Sequence, residues 1–320
     1  MRLIDMHCDT IFMLMRMENE NLRSSSLCVD IEKMKTAGSM AQFFACFIYV
    51  DELVEENKWE AGYQVALQMI SRGKKEFERY SEHLSLAENF DDMMNLYAKG
   101  KVAGFLTIEE GGILNGKISR LEELYRHGIR LVTLTWNGEN CIGFPNSKVP
   151  AIMQKGLKPF GMEVIHRMNE LGMIIDVSHL SDGGFWDVIQ NSTKPVVASH
   201  SNARTLCSHP RNLSDEMIRA LATKGGTTGL NLYPYFLRES GCVTIDDMVQ
   251  HIWHIYRVGG EDVVAVGTDF DGFDEGESEI LHIGQMELIY RALAKKGFTE
   301  RQLEKFWHGN AMRVIKEVTM

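Results

Sequence analysis

Short runs of Val, Ile, Leu and Phe recur along the whole chain, and stretches with helical spacing separate them. Eight of these runs are predicted strands, at residues 3–6, 41–48, 102–107, 131–135, 173–177, 195–199, 228–232 and 263–267. Most are continuously apolar rather than alternating, which is typical of strands that are buried on both faces. The pattern therefore predicts a parallel sheet that is covered by helices.

The stretches between the runs have amphipathic spacing and residues that start and stop helices. Helices are predicted at 57–80, 118–127, 159–171, 214–224, 245–258, 280–296 and 300–307. Ser214 is a favourable N-cap, and Gly225 and Gly226 end the same helix. Only helices follow the eighth strand.

Eight strands that alternate with helices in 320 residues indicate a (β/α)8 barrel of the TIM type. The competing fold is a doubly wound open sheet, which would carry a Gly-rich phosphate loop after its first strand. Here the first strand is followed by His7-Cys8-Asp9-Thr10, which contains no glycine. We therefore predict a single (β/α)8 barrel over residues 1–320, with additional C-terminal helices.

Composition and charge narrow the class of protein. With 44% hydrophobic and 24% charged residues the chain has ordinary globular composition. Its net charge of −10 argues against a nucleic-acid partner, because phosphate binding needs clustered Lys and Arg. No apolar run reaches the roughly 18 residues that a membrane span needs, and the N-terminus lacks the apolar core of a signal peptide. We expect a cytoplasmic protein without a membrane partner.

Histidine and carboxylate residues stand where predicted strands end. Six of them are candidates for chemistry: His7, Asp9, Glu110, His179, His200 and Asp269. The carboxyl ends of barrel strands meet at one face, so these side chains are predicted to converge there. Together they offer enough nitrogen and oxygen ligands for two metal ions.

The positions of the candidates along the chain support a role for each of them in a metal site. His7 and Asp9 are two residues apart, so in a strand both side chains point the same way. Glu110 precedes two glycines that permit a tight turn, and its carboxylate could bridge two cations; its neighbour Glu109 is interpreted as a bystander. Asp176 is a candidate hydrogen-bond acceptor that would orient the imidazole of His179, two residues after the strand.

Besides Asp269, two further residues, Asp271 and Arg211, carry charge near strand ends. Asp269 and Asp271 follow the eighth strand; Asp269 is closer to it and is the better candidate for chemistry, while Asp271 is compatible with a turn. Arg211 follows the sixth strand, where a guanidinium could bind a substrate carboxylate or form a surface salt bridge. The sequence leaves both roles open for Arg211.

With these residues in place, the chain resembles the membrane (renal) dipeptidase family of zinc peptidases, which belongs to the metal-dependent hydrolase barrels. The resemblance runs from Leu3 to about Val314. It rests on motifs in the family's order, among them Ile4-Asp5-Met6-His7-Cys8-Asp9, Glu110-Gly111-Gly112, Asp176-Val177-Ser178-His179, Ser199-His200-Ser201, Arg211-Asn212 and Gly267-Thr268-Asp269-Phe270-Asp271-Gly272.

The resemblance implies a site for two zinc ions. His7 and Asp9 would bind one ion, His179 and His200 the other, and Glu110 would bridge them. The family also implies a homodimer. The absence of the family's secretion signal and lipid anchor fits a bacterial-type cytosolic member.

The resemblance also implies how a substrate is held. Arg211 would bind the C-terminal carboxylate of a dipeptide, Asp269 would transfer a proton near the scissile amide, and Tyr233 would contact the substrate. Trp136 stands where mammalian members have a substrate-contacting histidine. An indole can donate one N–H or stack, but it cannot act as an imidazole.

The expected function is a zinc-dependent dipeptidase that hydrolyses the peptide bond with a metal-bridging hydroxide. The alternative is a related binuclear amidohydrolase that acts on N-acyl amino acids, lactones or cyclic amides, because the fold does not choose among these substrates. A metal-stabilised binding barrel without activity would lack a ligand or an acid, and all six candidate positions are filled.

Overall fold

The strands of the computed structural model, which describes residues 2–273 and 278–320, form a closed parallel sheet. Its strands are β1 (Leu3–Cys8), β2 (Ser39–Phe47), β3 (Leu84–Leu86), β4 (Val102–Glu109), β5 (Ile129–Thr133), β6 (Ile174–Asp176), β7 (Val196–Ala198), β8 (Thr227–Leu230) and β9 (Val264–Val266). The order is β2-β1-β9-β8-β7-β6-β5-β4, and β2 pairs with β4 to close the ring. The short β3 lies outside the ring, beside the start of β4. The predicted (β/α)8 barrel is confirmed.

Helices surround the ring and follow it. In the described residues they are α1 (Thr10–Arg16), α2 (Ile31–Ala37), α3 (Lys58–Arg79), α4 (Phe90–Ala98), α5 (Ile118–Arg126), α6 (Pro150–Met153), α7 (Pro159–Leu171), α8 (Asp182–Asn191), α9 (Asp215–Thr223), α10 (Pro234–Leu237), α11 (Ile245–Gly259), α12 (Glu287–Lys296), α13 (Glu300–Glu304) and α14 (Asn310–Thr319). The predicted helix at 280–296 begins later than expected, after a 3-10 turn at Ile283–Gln285. The helix predicted at 300–307 continues through a π-helix, Lys305–Gly309, into α14.

The barrel is filled by side chains and is closed at its amino-terminal end. Alternate residues of β4, such as Ala103 and Phe105, point inward, while Leu106 and Ile108 pack among the helices. The apolar face of α14, with Val314 and Val318, packs on the inward cluster. The opposite end of the barrel is therefore the one that is free to hold a site. Among the described residues there is no helix with the length and apolar character of a membrane span.

Candidate metal centre and active site

Six ionisable side chains meet at the carboxyl ends of the strands: His7, Asp9, Glu109, His179, His200 and Asp269. Neighbouring nitrogen and oxygen atoms in the cluster are 3.0–3.7 Å apart. The first five are buried, and Asp269 is 15% exposed. The structure thus brings together five of the six residues that the sequence singled out and replaces one.

Glu109 lies at the middle of the cluster. Its Oε2 is 3.2 Å from Nε2 of His7, and its Oε1 is 3.0 Å from Nε2 of His179 and 3.6 Å from Nε2 of His200. One carboxylate oxygen therefore faces His7, and the other faces the pair His179 and His200. This is the arrangement that a bridging ligand requires.

The prediction that Glu110 occupies this place and that Glu109 is a bystander is wrong. Strand β4 continues to Glu109, two residues beyond its predicted end, because Glu109 pairs with Phe47 of β2. Alternation along the strand then puts Glu109 on the same inward face as Ala103 and Phe105. Glu110 has a φ of 99° and leaves the strand, and its carboxylate oxygens bind groups outside the cluster.

Glu110 instead organises the loops beside the site. Its Oε1 accepts hydrogen bonds from the backbone N–H of Gly112 at 2.8 Å and from Nδ2 of Asn140 at 2.6 Å. Its Oε2 accepts one from the N–H of Trp136 at 3.3 Å. Burial raises the pKa of Glu110 to about 7, and these three hydrogen bonds oppose the rise. Glu110 therefore anchors the segment that carries Trp136.

Hydrogen bonds fix the orientation of two imidazoles. Ser199 donates through Oγ to Asp176 at 2.6 Å, so that Oγ accepts from Nδ1 of His200 at 2.7 Å. Nδ1 of His179 has Oδ1 of Asn137 as its acceptor at 3.1 Å. Both rings therefore carry a proton on Nδ1 and present a lone pair on Nε2. The suggestion that Asp176 orients His179 is wrong, because Asp176 acts on His200 through Ser199.

The cluster has the donor set of a divalent metal site. Nε2 of His179 and Nε2 of His200 are 3.2 Å apart with no proton between them, and Oε1 of Glu109 faces both. Nε2 of His7 and Oδ1 of Asp9 are buried and have no hydrogen-bond partner among the described residues. A tetrahedral ion with bonds of about 2.1 Å holds its ligand atoms roughly 3.4 Å apart, close to the observed spacing. A cation removes the repulsion between these lone pairs, so the residues fit the metal.

The protonation of two of the imidazoles, those of His179 and His200, agrees with a metal site. Burial, together with the charge of Arg211, lowers the pKa of His179 to about 4. Burial and the charges of His7 and Arg211 also hold the pKa of His200 well below its ordinary value. Neutral imidazoles are the form that binds metals. For His7 burial lowers the pKa, but the nearby carboxylates, Glu109 first, outweigh it and raise the value.

Asp269 stands at the edge of the cluster. Its Oδ1 is 3.7 Å from Nε2 of His7, and its Oδ2 accepts a hydrogen bond from Nδ2 of Asn231 at 2.8 Å. Burial raises its pKa to about 7, with the charges of neighbouring groups, His7 among them, acting in both directions. A carboxyl group with this pKa can accept and release a proton near neutral pH. Asp271 instead accepts hydrogen bonds from Thr10 and from the N–H of Cys28, which fits the predicted turn role.

Backbone strain is concentrated at the same strand ends. Among the described non-glycine residues, a positive φ is found at Glu110, His179, Asp269, Asp271 and Asn115. The first four directly follow or closely follow strands of the ring. Each such conformation costs about 1–3 kcal/mol and persists where surrounding contacts enforce it. The strand ends therefore turn abruptly, which a pattern of apolar residues cannot reveal.

Arg211 is a buried cation with free donors. It is 4% exposed, and Nη1 donates to Oγ of Ser201. Nε and Nη2 have no hydrogen-bond partner among the described residues, and no described carboxylate forms an ion pair with it. The guanidinium lies 5.7 Å from the ring of Phe236. Of the two roles left open for Arg211, the surface salt bridge is wrong.

A cavity of about 360 Å³ opens above the cluster. Its floor includes Asp9, Glu109, His179 and Asp269, and most of its walls are aromatic. The walls are formed by Phe47 and Trp136 together with Asn137, and by Tyr233, Tyr235, Phe236 and Phe273. Trp136 and Tyr233 both line this cavity.

The sequence-based prediction missed several residues with a place at the site, among them Phe47, Glu109, Asn137 and Ser199. For Glu109 the missing signal was the strand alternation, which a β4 extended by two residues would have supplied. For Ser199 a signal was present, since a serine directly precedes a candidate histidine. For Asn137 and Phe47 we find no signal in the sequence alone.

Comparison of the chain with known proteins identifies a family of enzymes. The family model for membrane dipeptidases, peptidase family M19, matches residues 1–320. An uncharacterized dipeptidase of Schizosaccharomyces pombe is 31% identical over 91% of this chain and 72% of its own length.

Two solved structures share the fold. The metallo peptidase called dipeptidase AC has a TM-score of 0.90 at 24% identity, covering 99% of this chain and 98% of its own. A metallo peptidase from Rhodobacter sphaeroides, liganded with a phosphinate mimic of the dipeptide L-Ala-D-Ala, has a TM-score of 0.89 at 23% identity, covering 99% of each chain.

Proposed function

The chain belongs to the membrane dipeptidase family and is a hydrolase of peptide bonds, and we propose that it cleaves dipeptides at a centre that holds two zinc ions. The observation that carries the proposal is the carboxylate of Glu109 between His7 and the pair His179 and His200. Divalent cations bound here supply Lewis acidity and lower the pKa of water toward neutrality.

Each side chain of the cluster has a place in this proposal. His7 and Asp9 would hold one ion, His179 and His200 the other, and Glu109 would contribute one oxygen to each. The depressed pKa values of His179 and His200 support the assignment, because neutral imidazoles are available over the physiological pH range. Imidazole and carboxylate groups are ligands that zinc takes in catalytic sites, so this donor set would suit zinc.

Proton transfer is assigned to Asp269. Its carboxyl group lies beside the cluster, is held by Asn231 and has a pKa of about 7. It would accept a proton from the attacking water and deliver it to the amine of the leaving residue. A group with a pKa near the working pH performs both steps efficiently.

Arg211 is assigned to the C-terminal carboxylate of the substrate. Its buried Nε and Nη2 groups have no partner in the part of the chain that the structure describes, and a carboxylate would satisfy both in a two-pronged pair. A cavity of about 360 Å³ is at the small end of the range for ligand sites, which favours short peptides. Tyr233 and Trp136 would contact the bound substrate from the cavity walls.

The experiment combines metal analysis with a substrate panel. Purified protein is dialysed against a chelator, reloaded with zinc and assayed with free dipeptides and with their N-acetyl derivatives. We expect two ions per chain, loss of activity on chelation, recovery with zinc and cleavage of free dipeptides only. Full activity in the metal-free protein would refute the metal centre. Preference for the N-acetyl compounds would favour the alternative, an amidohydrolase of N-acyl amino acids. The cytoplasmic location and the homodimer stay predictions.

A further inference from the structure

The order of strands around the barrel sets the direction in which a substrate crosses the cavity. In the ring β2-β1-β9-β8-β7-β6-β5-β4, three strands separate β2 from β7 on either side, so these two strands are opposite each other. Arg211 lies in the segment between β7 and α9, and its guanidinium is near Phe236, which follows β8. Phe47 is the last residue of β2. The cavity therefore runs from Phe236, beside the buried Arg211, across the cluster to Phe47.

The side opposite Arg211 is an aromatic surface. The ring of Trp136 is 4.9 Å from that of Phe47 and 5.1 Å from that of Tyr49, and Phe47 and Tyr49 are 6.0 Å apart. We call Phe47 and Trp136 the aromatic wall. The described residues that line the cavity on this side are these two and Asn137, and none of them is charged.

The aromatic wall is held rigidly next to the cluster. The backbone N–H of Trp136 is bound by Glu110, and Asn137 accepts the hydrogen bond from the ring of His179. Phe47 pairs along the strand with Glu109 itself. A surface that is ordered before binding loses little entropy when a ligand packs on it.

We propose that the aromatic wall binds the side chain of the substrate's N-terminal residue, so that dipeptides with a large apolar, above all aromatic, N-terminal residue are preferred. The inference rests on the proposed dipeptidase function. With the C-terminal carboxylate on Arg211 and the scissile bond over the cluster, the N-terminal residue is the part that reaches the aromatic wall. Packing of a Phe or Leu side chain there, compared with Ala, corresponds to roughly 10- to 100-fold in kcat/KM.

The experiment measures kcat/KM of the zinc-loaded enzyme for Ala-Ala, Leu-Ala, Phe-Ala, Lys-Ala and Ala-Phe. We expect Phe-Ala to exceed Ala-Ala by at least about 10-fold and to exceed Lys-Ala. The Trp136→Ala variant should lose most of the ratio of Phe-Ala to Ala-Ala, and this ratio, not the absolute rate for Ala-Ala, is the quantity compared. Trp186→Ala is the matched control, because Trp186 lies on α8, is 36% exposed and does not line the cavity.

A second variant and a second readout keep the test independent of folding and turnover. Trp136→His retains a ring but is polar, and it should also reduce the ratio. Calorimetric binding of the phosphinate analogues of Phe-Ala and Ala-Ala should show the same preference in the wild type and its loss in both Trp136 variants.

The outcomes separate the two proposals. Equal rates for Phe-Ala and Ala-Ala, a ratio that both Trp136 variants leave unchanged, or a stronger preference for Lys-Ala or Ala-Phe would overturn the inference alone. Failure of the zinc-loaded enzyme to cleave any dipeptide would overturn the proposed function, and the inference with it.

Discussion

Replacing each of two adjacent glutamates with glutamine is the sharpest test of the metal centre. Glu109 and Glu110 are both buried, with 3% and 0% exposure, and each substitution exchanges one carboxylate oxygen for an amide nitrogen. The two variants therefore differ only in where the changed group points. We expect Glu109→Gln to lose metal and activity and Glu110→Gln to keep its metal.

The magnitudes follow from the contacts. Loss of a partner that only orients a metal ligand costs about 10- to 100-fold in metal affinity, so loss of a ligand should cost at least about 100-fold, or 2.7 kcal/mol. Because each oxygen of Glu109 faces a different set of imidazoles, both ions should be affected. Loss of several kcal/mol of Lewis-acid stabilisation lowers kcat by roughly 1000-fold or more.

Glu110→Gln should instead lower the stability of the folded protein. Three N–H groups donate to the two oxygens of Glu110, and glutamine retains only one of those acceptors. An unsatisfied buried donor costs about 1–3 kcal/mol, so the free energy of unfolding should fall by that amount. Metal content should stay at two ions per chain.

The assay is elemental analysis after dialysis, competition with a chromogenic chelator for the affinities, and urea unfolding for stability. The wild type and both variants are compared in the same buffer. Retention of both ions with wild-type affinity in Glu109→Gln, or their loss in a folded Glu110→Gln, would refute the placement of the two glutamates.

Three further predictions concern substrate, proton transfer and pH. Arg211→Met should raise KM for dipeptides by roughly 100-fold or more with unchanged metal content, since it removes two charged hydrogen bonds, and an unchanged KM would contradict the carboxylate site. Asp269→Asn should lower kcat by about 100- to 10,000-fold while both ions remain bound, and a wild-type kcat would exclude Asp269 from proton transfer. Burial lowers the pKa of His251 to about 4, so the folded state holds it neutral while the unfolded state protonates near pH 6.5. Stability should therefore be lost as pH falls from 6.5 toward 4, by about 2 kcal/mol at pH 5, and urea unfolding of His251→Gln at pH 7.5 and pH 5 should show a smaller loss than the wild type.

Much of the barrel was predictable because its signals are local. The helix α7 begins at Pro159 and is stopped by Gly172, whose φ of 73° is a left-handed cap, and the predicted bounds agree with the structure. The buried strands are short and apolar, so their existence was clear although their ends were not. The strand β3 was missed because it is three residues long and lies outside the ring, beside the start of β4. The role of α14, which packs on the inward cluster of the barrel, depends on tertiary contacts that spacing does not contain.

The location of the site could be predicted from the sequence, but the atoms that its side chains present could not. Convergence of the strand ends follows from the fold, and His7, Asp9, His179 and His200 needed only that argument. Which nitrogen of each imidazole faces the cluster depends on acceptors from other segments, such as Asn137 for His179. Those partners are set by loop conformation, which apolar periodicity does not determine.

Glu109 and Glu110 show that the position at which a strand ends decides which side chain is assigned as the bridging ligand. The predicted strand ended at Thr107, which put both Glu109 and Glu110 in a turn where alternation gives no direction. Pairing of β2 with β4 as far as Glu109 extends the strand, and only then does the inward face include Glu109. The glycines that drew attention to Glu110 serve the turn itself, since a Cβ on Gly112 would lie 2.4 Å from the ring of Trp59. The Glu-Gly-Gly motif is therefore explained by the loop that Glu110 anchors, and the proposed bridging ligand is the residue before it.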